Sequence, residues 1–118
     1  MLIRTGIDII EIDRIQKIAK KPRFISKYFS PDEIRFFITR RFSPYTIAAN
    51  FCTKEAFAKA LGTGVRGFSL SEVSVLRDSI GSPYLSLSGK ARAIAEREKL
   101  TFSISISHSK QYATAIVI

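Results

Sequence analysis

The sequence predicts an α+β fold, a small antiparallel sheet packed with helices in a single domain. Order is the first sign: a β-branched run opens the chain, helical patterns follow, and the rest reads strand, strand, helix, strand, strand. Alternation is the second, in FSLSEVSVLRD (68–78) and PYLSLS (83–88), where apolar residues recur at every other position. The third is a helix start at SPDE, with Ser30 as N-cap, Pro31 at the first helical position and Glu33 three residues after the cap. A length of 118 residues fits one domain spanning 1–118, large enough to bury a core without disulfides.

Element by element, RTGIDIIEI (4–12) reads as a strand, with Gly6 a site for a bulge or a close approach. Asp13 is placed to cap a helix from Arg14 whose apolar positions are Ile15, Ile18 and Ala19, and Pro22 interrupts it. A helix follows Ser30, and another runs from Tyr45 to Leu61, ended by Gly62. The strand in 68–78 is broken by one register change. Ser79 to Pro83 is turn chemistry, GKARAIAEREKL is an amphipathic helix, and the closing strands 101–109 and 112–118 form a hairpin through Ser109–Gln111.

Composition excludes several classes. Apolar residues at 46% and charged residues at 25% are ordinary for a soluble globular protein. No stretch approaches the roughly 18 consecutive apolar residues of a membrane span, and MLIRTGIDIIEI does not read as a signal peptide. The single cysteine, Cys52, has no internal disulfide partner and reads as a small core residue of a reduced, cytoplasmic protein. Nineteen basic against ten acidic residues give a net charge of +9, which favours anionic partners. Between Arg14 and Lys27 lie Arg14, Lys17, Lys20, Lys21, Arg23 and Lys27 without one acid, either a solvated face or a docking surface for an acidic partner.

The stretch NFCTKEAFAKALGTG (50–64) holds the first chemical signal. At helical spacing Glu55 and Lys59 fall within an apolar stripe of Ala48, Phe51, Cys52 and Ala58, with Lys54 beside them. On an exposed face such a pair only supports its helix; among apolar residues both need a partner such as a metal, an anion or one another. In the strand expected over 4–12, Asp8 shares its face with Gly6 and Ile10, while Ile7, Ile9 and Glu11 point the other way. It reads either as an edge acid or, with Glu55, as a ligand of a hard cation such as Mg²⁺. One histidine and one cysteine without ligand spacing argue against zinc. The loop LGTGVRG, with Gly62 and Gly64, either caps the helix or brings backbone N–H groups to a phosphate. His108, at a strand end near Lys110, is either structural or a phosphate ligand.

GIDIIEIDRI, FCTKEAFAKALGTG and SISHSKQYATAIVI, with GSPYLSLSGKA between the last two, together resemble the holo-acyl-carrier-protein synthases, the small bacterial phosphopantetheinyl transferases. The resemblance spans essentially the whole chain. It implies the 4′-phosphopantetheinyl transferase-like fold and transfer of 4′-phosphopantetheine from coenzyme A to a serine of apo-acyl carrier protein, releasing 3′,5′-ADP. It further implies Asp8 and Glu55 as Mg²⁺ ligands, Lys59 at the pyrophosphate with Lys54 on the same basic helix, and His108 near the nucleotide phosphates. Arg14 and the basic run would meet the acidic helix of the carrier protein, and compact members of the family are trimers with interfacial active sites. Glu55 is also the candidate base for the serine proton, directly or through water, although a metal ligand makes a poor base.

Three positions depart from the family pattern: Asn50 where arginine is frequent, Cys52 where a small residue is usual, and Ser82 where a base often sits between glycine and proline. They bear on contacts to coenzyme A and leave the metal pair untouched. The competing expectation is a basic nucleic-acid-binding domain, suggested by charge, nine phenylalanines and four tyrosines. It has no recognisable motif in the sequence and leaves Asp8 and Glu55 unexplained.

Overall fold

In a computed structural model that describes residues 3–118, the opening run forms β1 (Gly6–Glu11) and turns directly into α1 (Ile12–Ile18). The helix therefore starts before Arg14, and Asp13 is not its cap. Glu11 occupies that position with extended backbone and no capping side chain. The reason is continuity with the sheet: Ile12 donates its amide to Gln111 O at 2.9 Å and buries its side chain, so the last rung leads into the first turn. Pro22 separates α1 from α2 (Pro22–Tyr28) by opening the second helix, where a missing N–H costs nothing. In α3 (Pro31–Thr39) the expected capping box is complete. Ser30 Oγ accepts from Glu33 N at 3.2 Å, and Glu33 Oε1 accepts from Ser30 N at 3.1 Å. α4 (Pro44–Leu61) ends at Gly62, whose φ of 81° is the left-handed conformation that closes a helix.

The register break in 68–78 is a single turn of 3₁₀ helix, Leu70–Glu72, ahead of β2 (Val73–Arg77). β3 (Pro83–Leu87), α5 (Gly89–Glu98), β4 (Ile104–His108) and β5 (Tyr112–Val117) complete the chain. Ser109 N donates to Tyr112 O at 2.8 Å, closing the expected hairpin. All strand pairs are antiparallel and divide into a three-stranded sheet, β1-β5-β4, and a β2-β3 ribbon.

The α+β core forms where α4 crosses β1 and β5. Helix α4 is buried around most of its circumference, with Ala48, Cys52, Ala56 and Phe57 fully enclosed. Phe24, Phe29 and Phe37 pack with Phe51 of α4 in tilted and edge-on pairs, centroids 4.9–6.3 Å apart. The sheet's opposite face is bare: Ile7 and Ile9 are 63% and 65% exposed.

Gly6 is the close approach. A Cβ there would lie 1.9 Å from Ala56 O and 2.6 Å from Ala60 N, so the strand backbone rests directly on the helix backbone. Replacing Gly6 by alanine would force the two apart. We expect Gly6→Ala to reduce unfolding free energy by about 1–3 kcal/mol or more, read from denaturant midpoints; a wild-type midpoint would mean that the strand has room to move.

A candidate active site between β1 and α4

Two residues beyond Gly6, strand alternation turns Asp8 toward α4. Lys59 meets it there, its ammonium donating to Asp8 Oδ1 and to Ile7 O, each at 3.0 Å. Asp8 is largely enclosed, whereas the Lys59 side chain is 56% exposed. Glu55 stands one turn earlier on α4. Burial, and then the neighbouring Asp8 charge, raise its pKa above the usual carboxylate range, against the opposing pull of Lys59 and Arg14. Asp8, Glu55, Lys59 and Arg14, expected from the sequence as site residues, are thus brought together. The donor set is two hard carboxylates from two rigid elements, which suits a cation that completes its shell with water and substrate oxygens. Among the described residues no group of three or more His, Cys, Asp or Glu gathers to hold a metal, so any ion here would depend on outside ligands.

Arg14 and Glu55 also line a cleft of about 490 Å³ with Ile18, Phe24, Tyr28 and Phe51. Cys52 lies beneath the cluster, wholly buried, with Sγ 3.7 Å from Ala113 O. Burial first, and Asp8 second, push its thiol up to about 12, so it stays protonated and inert, as a small core residue should.

Lys54 departs from expectation. It faces away from the cluster and is completely buried, donating to Glu33 Oε1 at 2.5 Å, Val73 O at 2.7 Å and Leu70 O at 2.8 Å. With all three N–H groups engaged, it has none for a phosphate. Burial raises Glu33 and lowers Lys54, while each helps to keep the other charged. The physical reason is the helix itself: adjacent residues differ by about 100°, so Lys54 and Glu55 cannot serve the same side. Asn50 belongs to this buried network, donating to Glu33 Oε2 and Val75 O, each at 2.9 Å.

Gly62 and Gly64 lie in the exposed loop after α4, both at positive φ, with Gly62 acting as the helix cap. His108 is in a different place from Asp8. It packs on Tyr45 with centroids 5.2 Å apart, in a cleft of about 250 Å³ that also includes Thr46, Arg77 and Gly81. Tyr45 is near the start of α4, about 15 Å along the axis from Glu55. Sequence reasoning missed Arg77 and the role of Glu33 beyond its cap. Arg77 stood at the end of an alternating run, while nothing local linked Glu33 to Lys54.

Two carboxylates and an exposed lysine gathered beside a cleft that Glu55 lines, on an α+β scaffold, form a site suited to a cation and an anionic group. The chain belongs to the 4′-phosphopantetheinyl transferase superfamily, whose family model matches residues 4–117. It is 44% identical over 119 residues to a holo-[acyl-carrier-protein] synthase of Clostridium botulinum (strain Eklund 17B / Type B), covering all of this chain and 97% of the relative. A Fusobacterium nucleatum protein of the same name is 43% identical over 120 residues, covering 100% of this chain and 98% of that protein. Among solved structures, holo-[acyl-carrier-protein] synthase from Neisseria meningitidis superposes with a TM-score of 0.91 at 29% identity, covering 98% and 97% of the two chains. The Helicobacter pylori synthase in complex with coenzyme A gives 0.84 at 31%, covering 97% of each.

The two lysines should separate stability from chemistry. Lys54→Met leaves Glu33 buried without its partner and is expected to lower stability by about 3–5 kcal/mol. Lys59→Met, at an exposed pair, should change it by no more than about 1 kcal/mol. Urea unfolding of both variants checks this, and comparable losses would contradict the assignment of Lys54 to structure.

Proposed function

We propose that residues 1–118 act as a single phosphopantetheinyl transferase domain, moving 4′-phosphopantetheine from coenzyme A to a serine of apo-acyl carrier protein and releasing 3′,5′-ADP. The observation that carries this reading is the meeting of Asp8, Glu55 and Lys59 beside the Arg14 cleft, in a chain that belongs to the superfamily. Relatives named holo-[acyl-carrier-protein] synthase at 43–44% identity support the acceptor, and the neighbour solved with coenzyme A supports the donor.

In the reaction the serine Oγ bonds to the phosphorus that bears pantetheine. The bond from that phosphorus to the adenosine bisphosphate breaks, and the serine proton leaves to a base. Asp8 and Glu55 would hold Mg²⁺, which when bound neutralises the pyrophosphate and stabilises the departing bisphosphate. Lys59 uses two of its three N–H groups on Asp8 and Ile7, leaving one for a phosphate oxygen in the transition state. Glu55, with its carboxyl above the ordinary range, is the candidate to receive the serine proton directly or through water.

Arg14 and the exposed bases of α1 and α2 form the docking surface for an acidic carrier, beside the cleft that leads to Glu55. The bare isoleucines of β1 suit burial against further copies of the chain, in a homotrimer with interfacial active sites. The separation of the His108 cleft from the Asp8 cluster is compatible with that arrangement. Among the described residues no helix is long and apolar enough to cross a membrane, and a cytoplasmic location belongs to the same proposal. The phenylalanines speak against the nucleic-acid reading: Phe24, Phe29, Phe37, Phe57 and Phe68 are buried in the core and form no stacking platform.

Intact-protein mass spectrometry of apo-acyl carrier protein incubated with enzyme, coenzyme A and Mg²⁺ is the direct test. A phosphopantetheine increment that vanishes with EDTA is expected. Asp8→Asn and Glu55→Gln should fold and lose at least about a hundred-fold in turnover; wild-type rates in both would sink the metal pair. Arg14→Ala is expected to raise KM for the carrier protein more than KM for coenzyme A, and equal changes would argue against docking there.

A further inference from the structure

We propose that Glu72 is a positioning residue for the cleft of Arg14 and Glu55, holding the 3₁₀ turn that bears Leu70 against the N-terminus of α5. The inference rests on the transferase reading and adds a residue that touches neither substrate. Helix α5 begins after Ser88, whose side chain makes no capping bond. Its cap comes instead from eighteen positions before Lys90. Glu72 Oε2 accepts from Lys90 N at 3.0 Å, while Oε1 accepts from Ser69 N at 2.9 Å. Ser88 N donates to Glu72 O at 2.9 Å, so the backbone and side chain of one residue both clasp the start of the helix. Gly89 admits this contact: its φ is 53°, and a Cβ there would stand 1.9 Å from Glu72 Oε2. A carboxylate in that place also meets the positive end of the helix dipole. Burial opposes the charge, but the amides of Ser69, Lys90 and Ala91 hold the carboxyl below its usual range, and it is ionised at neutral pH.

The clasp reaches beyond α5 because of what the turn carries. Leu70 and Val65 line the cleft that Arg14 and Glu55 share. From Gly62 to Gly67 the connecting loop is exposed, and Gly62, Gly64 and Gly67 all have positive φ with open space where a side chain would stand. Such a loop has little packing of its own, and its ends set its course. One end is the cap of α4; the other is Phe68, whose ring lies 5.6 Å from that of Phe57, followed at once by the turn. Lys54 of α4 holds the turn through Leu70 O and Val73 O, and the turn also packs on α2. Glu72 supplies the remaining tie, from α5. Without it the turn is held only by α4 and α2, and the Leu70 and Val65 wall is free to shift within the cleft. An acidic carrier drawn in by Arg14 must bury apolar surface as well as pair charges, and that wall is part of the surface it meets.

Steady-state kinetics with apo-acyl carrier protein and coenzyme A varied separately tests the role. For Glu72→Gln, which keeps the length of the side chain and loses its charge, we expect KM for the carrier to rise about three- to thirty-fold. KM for coenzyme A should change by less than about two-fold. A second construction separates positioning from capping: Glu72→Ala combined with Ser88→Asp restores a local cap to α5 without the tie to the turn. Its melting temperature should recover relative to Glu72→Ala alone, while KM for the carrier stays raised. Recovery of both together would show that Glu72 only caps the helix and would overturn the proposal, as would equal rises for the two substrates or no rise. Hydrogen exchange on Glu72→Gln reads the same point without turnover. The amides of residues 65–70 should exchange faster than in the wild type, and unchanged protection overturns the proposal. Absence of transfer by the wild type would overturn the transferase reading itself, whereas transfer with an unsplit KM overturns only the role of Glu72.

Discussion

The buried ion pair between Lys54 and Glu33 fixes the rotation of α4, and the arrangement of the site follows from that rotation. Its ammonium ties α4 to α3, to the 3₁₀ turn and to the start of β2 through Glu33, Leu70 O and Val73 O. Removing either partner would strand a charge in the core. With Lys54 held inward on that side, the helical step of about 100° turns Glu55 toward the opposite quarter, where Arg14 and β1 lie. Lys59 follows one turn later on the side of Asp8. A lysine that never touches substrate thereby orients the residues placed to do so.

The same network reaches the surface at its other end. Glu33 accepts from Asn50, and Asn50 in turn accepts from Arg77, so the guanidinium at the second cleft is anchored through a chain that begins at Lys54. Asparagine at position 50, a departure from the frequent arginine of the resembling family, is here the link that holds an arginine arriving from β2. The positive charge at that cleft thus comes from a neighbouring element. Gly6 completes the frame by letting β1 sit on the α4 backbone, which brings Asp8 within reach of Lys59.

Much of this was legible in local sequence. The capping box at Ser30 and Glu33, the glycine end of α4, the closing hairpin and the inward parity of Asp8 depend on near neighbours, and so a single stretch reveals them. The start of α1 was not, because Ile12 takes its place from a hydrogen bond to Gln111 across the sheet. Lys54 was misread for the same kind of reason. Its partners are a carboxylate twenty-one positions away and two carbonyls, one on the 3₁₀ turn and one on β2. Helical spacing placed Lys59 within an apolar stripe, yet it is exposed, because α4 is enclosed on most sides and opens only near its end. That His108 and Asp8 occupy different ends of α4 follows from sheet order, which composition does not carry.

The six residues of β1 alternate strictly between two surfaces. Gly6, Asp8 and Ile10 face the helix, and Ile7, Ile9 and Glu11 face outward. A point change on the outward set leaves the inward parity of Asp8 unaltered, so a substitution acts on one surface at a time. Insertion or deletion is another matter. Losing or gaining one residue inside the strand would turn the carboxylate outward and an isoleucine toward Lys59, exchanging both surfaces at once. A change of residue in this segment therefore touches one surface, whereas a change of length touches both.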